Sequence, residues 1–87
     1  MRGELVIVRA YRGRPFVMKV WEVGKSVVYI ASDEQFQYLL SNDSRAIGPI
    51  GFPKEDVFKF DSTVAKTLDR LSEGKSFNWE KLTPFNC

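Results

Sequence analysis

Three arginines stand close together, Arg9, Arg12 and Arg14, with Tyr11 and Phe16 interleaved. A guanidinium pairs with phosphate or carboxylate through a planar fork of donors, and it also stacks on rings. Aromatic side chains supply platforms on which bases or apolar groups lie. Lys19 and Trp21 follow on the same stretch. Arg9, Tyr11, Arg12, Arg14, Lys19 and Trp21 are therefore the candidate binding residues. RNA or DNA fits the chemistry of this basic hairpin, whereas a protein partner is expected from the surplus of apolar residues outside the strands. The opposing reading is a solvated hairpin turn whose arginines pair with the acidic segment 31–60. Trp21 has two readings as well: a binding platform, or the floor on which a helix over 62–73 or Trp79 packs.

Catalytic chemistry finds little to work with. The chain has no histidine, the commonest general base and metal ligand. Its one cysteine, Cys87, is the last residue and lacks a neighbour that would lower its pKa. Gly13, Gly48 and Gly51 do not form a phosphate-cradling loop that leads into a helix. The carboxylate pairs Asp33/Glu34 and Glu55/Asp56 sit where a helix cap and a tight turn need them. No enzyme, no metal and no cofactor are expected.

Eighty-seven residues are one domain's worth of chain, with a modest core. The composition, 44% hydrophobic and 28% charged, is that of a globular protein. A net charge of +2 is too small to imply a nucleic-acid or acidic-membrane partner on its own. The charge is uneven: residues 1–30 are basic and residues 31–60 are net acidic. One cysteine allows no intrachain disulfide, and no apolar run reaches the roughly 18 residues of a membrane span. No signal peptide is read at the start, so the expected location is cytoplasmic, with no membrane partner.

The elements that must carry these residues follow from patterning. Residues 4–11 form a β-branched run of strand length. Arg12-Gly13-Arg14-Pro15 is turn chemistry, and Gly13 permits positive φ. Residues 16–23 read as a second strand, with Phe16, Met18 and Val20 on one face and Val17, Lys19, Trp21 and Val23 on the other. Gly24-Lys25 suits a two-residue turn of type II′, and 26–31 completes a meander. Both faces of the second strand are apolar, so the sheet must curl, or have its second face covered, or both. Ser32-Asp33-Glu34-Gln35 has the form of a capping box, which starts a helix over 33–40 with Phe36, Leu39 and Leu40 on one face. Pro49 and Pro53 bracket a short edge strand near 49–52, a single 3₁₀ turn follows, and 57–60 is the last strand. Asp61 or Ser62 caps a helix over 62–73, with Val64, Ala65, Leu68 and Leu71 at helical spacing and Gly74 at its end. Like charges four residues apart (Lys66 and Arg70, Asp69 and Glu73) make that helix dependent on packing. Phe77, Trp79, Leu82 and Phe85 make the tail too apolar to hang free, and Trp79 and Leu82 are expected to be pinned to a barrel formed by the strands or to the helix over 62–73.

The meander followed by Gly48-x-Ile50-x-x-Pro53-x-x-x-Val57 resembles the end of a Src-homology-3-like barrel. There a glycine-led fourth strand runs into a proline-marked 3₁₀ turn and a final strand with a buried valine. The resemblance covers residues 4–60 and implies a small five-stranded antiparallel barrel. The peptide-binding members carry an Ala-Leu-Tyr-Asp-Tyr-type stretch, a tryptophan opening the third strand and a tyrosine in the 3₁₀ turn. This chain has Val8-Arg9-Ala10-Tyr11, Ser26-Val27 and Lys54-Glu55-Asp56 at those places, so polyproline recognition is not implied. The tight hairpins are more similar to the KOW and tudor branches, whose members bind nucleic acid, ribosomes, polymerase or modified tails. The expected molecule is a mainly β, α+β domain: a barrel over 4–60, with a packed helix and tail over 61–87. Its expected role is that of a non-catalytic interaction module.

Overall fold

The computed structural model describes residues 2–68 and 79–85. In chain order the elements are β1 (Leu5–Arg9), a 3₁₀ turn (Tyr11–Gly13), β2 (Pro15–Val23), β3 (Val27–Ala31), α1 (Asp33–Leu40), β4 (Ile50–Pro53), a 3₁₀ turn (Lys54–Asp56), β5 (Val57–Lys59), α2 (Ser62–Leu68) and a 3₁₀ turn (Trp79–Lys81). The five strands form one open antiparallel sheet in the order β4-β3-β2-β1-β5. β4 and β5 are thus at opposite edges, yet only Lys54–Asp56 joins them. Neighbouring strands lie about 4.8 Å apart, so a turn this short spans the two edges only because the sheet is coiled. Among the described residues no helix is long and apolar enough to cross a membrane.

Alternation along the strands fills both faces. Val6, Val8, Val20, Val28, Ile30 and Val57 form the inner core, with Met18, Val23, Phe52 and Phe85 packed against it. Each fully buried aliphatic side chain contributes roughly 1.5–3 kcal/mol. Ile7, Phe58 and Leu82 form a second cluster on the outer face, with Val64 of α2 and Trp79 against it. Phe36 of α1 covers the outer face beside Trp21. The second face is therefore covered by α1, α2 and the segment 79–85. Phe52 is part of the packing against the core.

Several local features differ from expectation. A β-bulge between Val20 and Glu22 shifts the β2–β3 register by one residue. A shift by one exchanges faces, so Val23 joins the inner core instead of lining up with Trp21. The same shift moves the hairpin turn. Gly24 N–H donates to the Val27 carbonyl at 2.8 Å, so Lys25 and Ser26 are the central residues and Gly24 is not in a type II′ position. Gly24 stays glycine-sized for another reason: an added Cβ would meet the Val27 carbonyl oxygen at 3.1 Å. Tyr11 leaves β1 for the turn, and Pro15 opens β2.

Ser32 caps α1, accepting from the Gln35 N–H at 3.2 Å. The Gln35 side chain does not reach back as a capping box would; it accepts from the Ile47 N–H at 2.8 Å and ties the following loop to the helix. Phe36 is buried, but Leu40, expected on the same face, is 54% exposed at the last position of the helix. Asp61 caps α2 by accepting from the Thr63 and Val64 amides. The expectations for Leu71, Gly74, Phe77, Cys87 and the charge pairs reaching Arg70 and Glu73 lie outside the described residues.

The hydrogen-bond parity at the two rims follows from three bonds. Lys54 N–H donates to Ser26, which puts the N–H and C=O groups of residues 50 and 52 toward β3. Residues 49, 51 and 53 face away, and two of these are proline. On the other rim, Lys59 N–H donates to Thr83 and Phe85 N–H donates to Val57, so 83–85 adds a short rung to β5. Pro84 occupies the position of that rung facing away from β5.

Candidate functional site

The first hairpin ends in a tightly bonded tip. Ala10 N–H donates to Arg14 at 2.8 Å, and Gly13 N–H donates to Ala10 at 2.9 Å. Arg12 has φ 61 and ψ 26, and Gly13 has φ 71. Two successive residues at positive φ suit Asn-Gly or Gly-Gly far better than Arg-Gly. Arginine in the left-handed region costs roughly 1–2 kcal/mol, so its presence here departs from the preference of the turn. The result is a display. Tyr11 is 79% exposed, and the Arg12 guanidinium lies 5.3 Å from the centre of its ring. Phe16 and Val17 add exposed apolar surface at the start of β2.

The tip is braced from outside its own hairpin. Trp79 donates its indole Nε1–H to the Gly13 carbonyl at 3.2 Å. The indole lies against Phe58, with centroids 4.9 Å apart and planes 32° apart. Arg9, one rung below the tip, sits over both rings at 5.3 and 5.4 Å.

The remaining candidates are placed as follows. Arg9 Nε bonds Asp56 Oδ1 at 2.9 Å, and its Nη2 bonds the Glu55 carbonyl at 3.0 Å. Its charge is thus matched by the acidic turn 54–56. Lys19 pairs with Asp33 at the start of α1 and lies over Phe36. Trp21 meets Phe36 edge to face at 5.6 Å and carries Arg2 on its ring at 4.0 Å. Arg2 Nε also donates to the Trp21 carbonyl. Trp21 is therefore the floor for a helix, and that helix is α1, which supplies Phe36. Arg14 is exposed, and its backbone closes the turn.

The six candidates thus form two groups. Tyr11, Arg12 and Arg14 gather at the tip, with Arg9 just below. Lys19 and Trp21 lie at the α1 end of β2, roughly 20 Å from Arg14 at about 3.3 Å per strand residue. Trp79 is the residue of this site that sequence reasoning placed only as a packing group. The signal for it is weak: Trp79 and Gly13 are 66 positions apart, and nothing in the local sequence of either names the other.

Among the described residues no group of three or more metal-ligating side chains comes together. No protein-family model, curated protein or solved structure matches this chain.

Proposed function

We propose that this chain is a non-catalytic interaction module that binds a protein partner through the hairpin tip, with Tyr11 as the anchor and Arg12 beside it. The observation that carries this reading is the exposed Tyr11–Arg12 pair, held on a turn with an energetically unfavourable Arg12 backbone. Unfavourable backbone geometry persists where the surroundings over-determine it, and such positions cluster at functional sites. Tyrosine and arginine are the residue types that dominate binding hot spots. With Arg9 and Lys19 matched by carboxylates, the cationic surface suits a protein better than a polyanion.

In the same reading the sheet belongs to the Src-homology-3-like small barrels. Support comes from the glycine-led β4, the 3₁₀ turn 54–56 that joins opposite edges, and the buried Val57 that opens β5.

The test uses the full chain as bait, alongside Tyr11→Ala and Arg12→Gly. Glycine accepts φ 61, so the second variant keeps the turn and removes the guanidinium. A captured protein should bind Tyr11→Ala about thirtyfold more weakly, the ~2 kcal/mol of a hot-spot aromatic, with the fold unchanged. Equal capture by all three chains overturns the site. An NMR titration with single-stranded RNA and duplex DNA at two salt concentrations separates the alternative. Shifts over residues 9–19 that fade as salt rises would make nucleic acid the partner.

A further inference from the structure

We infer that the segment 79–85 controls the conformation of the recognition tip, with the indole N–H of Trp79 as the positioning contact. This rests on the tip being the binding site, but the coupling itself is independent of any partner. The segment is seated at two places away from the tip. Lys59 N–H donates to Thr83 at 2.8 Å and Phe85 N–H donates to Val57 at 3.0 Å, which fixes it to the edge of β5. Leu82 is buried against Ile7 and Phe58, which fixes it to the outer face. Once it is seated, Trp79 has a defined place on Phe58 and under Arg9, and its one ring donor reaches the Gly13 carbonyl.

That carbonyl belongs to the second of the two left-handed residues. Holding it in place selects the backbone state in which Arg12 sits at φ 61 and Tyr11 projects. Without the bond the Gly13 carbonyl loses its brace from outside the hairpin, and the backbone bonds within the tip (Ala10 to Arg14, Gly13 to Ala10 and Arg14 to Tyr11) stand against the cost of the Arg12 conformation. The tip and the segment are then two sites on one equilibrium. Whatever unseats 79–85 loosens the tip, and by linkage whatever orders the tip tightens the seat.

Residue-resolved amide exchange on the full chain, without any ligand, tests this. Trp79→Phe keeps a ring on Phe58 and removes the donor. The amides of Ala10, Gly13 and Arg14 should exchange about fivefold to tenfold faster, the effect of one neutral hydrogen bond. Lys59 and Phe85, which report the seat, should be unchanged. Unchanged exchange at the tip overturns the inference. Equal acceleration at the tip and at Lys59 and Phe85 also overturns it, because the ring and not the donor would then carry the effect. If the variant does not fold, the wild-type chain supplies the test through a scalar coupling from Trp79 Nε1 to the Gly13 carbonyl carbon. Detection supports the bond, and an indole proton exchanging as fast as that of free tryptophan overturns it. Loss of partner binding in Tyr11→Ala does not bear on these amides, so the inference and the proposed function fail separately.

Discussion

The two rims of the sheet solve the same problem by different means. A strand edge presents unpaired N–H and C=O groups that recruit other chains. At β5 the protein covers its edge with residues 83–85, and Pro84 then faces outward without a donor. At β4 nothing among the described residues covers the edge, and the chain removes the donors instead. Of the three outward positions 49, 51 and 53, only Gly51 carries an N–H. The covered rim is built into the core, and the bare rim is chemically blunted. The first arrangement makes the β5 side a platform on which a tip is braced. The second leaves the β4 side with one outward strand N–H, that of Gly51.

The largest effect should come from uncovering the first rim. Leu82→Ala removes a side chain that is only 5% exposed and should cost about 2–4 kcal/mol in denaturant unfolding. A loss below 1 kcal/mol would mean that 79–85 is an accessory to the sheet and not part of it. A smaller effect on stability, with a change in behaviour, should follow from arming the second rim. Pro49→Val with Pro53→Val restores two outward donors and frees the unfolded chain, at about 0.4–1 kcal/mol each. Sedimentation velocity should then show concentration-dependent association that the parent lacks. A double variant that stays monomeric would place the protection elsewhere.

The smallest effect concerns the loop that leads into β4. The Arg45 guanidinium, and then its backbone N–H, bond the Asp43 carboxylate and hold its pKa below the ordinary value. Because the folded value is lowered, the contribution is complete above the ordinary carboxylate pKa and is lost as pH falls through the folded one. The Arg45 amide signal should therefore move on acidification with a midpoint below that of a free aspartate, while the Lys59 and Phe85 amides stay still. Movement of all three together would join the two rims into one unit.

Much of this architecture is legible in the sequence because it rests on local rules. The β-branched run over 4–11, turn chemistry at Gly13, the Ser32 cap, and prolines at 49 and 53 each act within a few residues. Two of the misplacements, at Val23 and at the second hairpin turn, have one cause in common. The bulge at Trp21 is a property of two strands together, and it reverses Val23 and moves the turn from Gly24-Lys25 to Lys25-Ser26. The site divides in the same way. The exposure of Tyr11 and Arg12 follows from a turn at the end of a hairpin. That Arg9 would find Asp56, Lys19 would find Asp33, and Trp79 would find Gly13 depends on which strands become neighbours. Like and unlike charges in a list do not reveal that.

The strand order also sets a sequence of events. β1 to β4 pair with their neighbours in the chain, whereas Ile7 of β1 must wait for Phe58 of β5. Closing a loop of some fifty residues is slow relative to forming hairpins. During synthesis the meander is complete while the far edge of β1, rich in valine and isoleucine, is still unpartnered. No proline stands in that strand. The unpaired β1 edge is therefore an aggregation-prone surface that the folded form does not show, and the arrival of β5 ends its exposure.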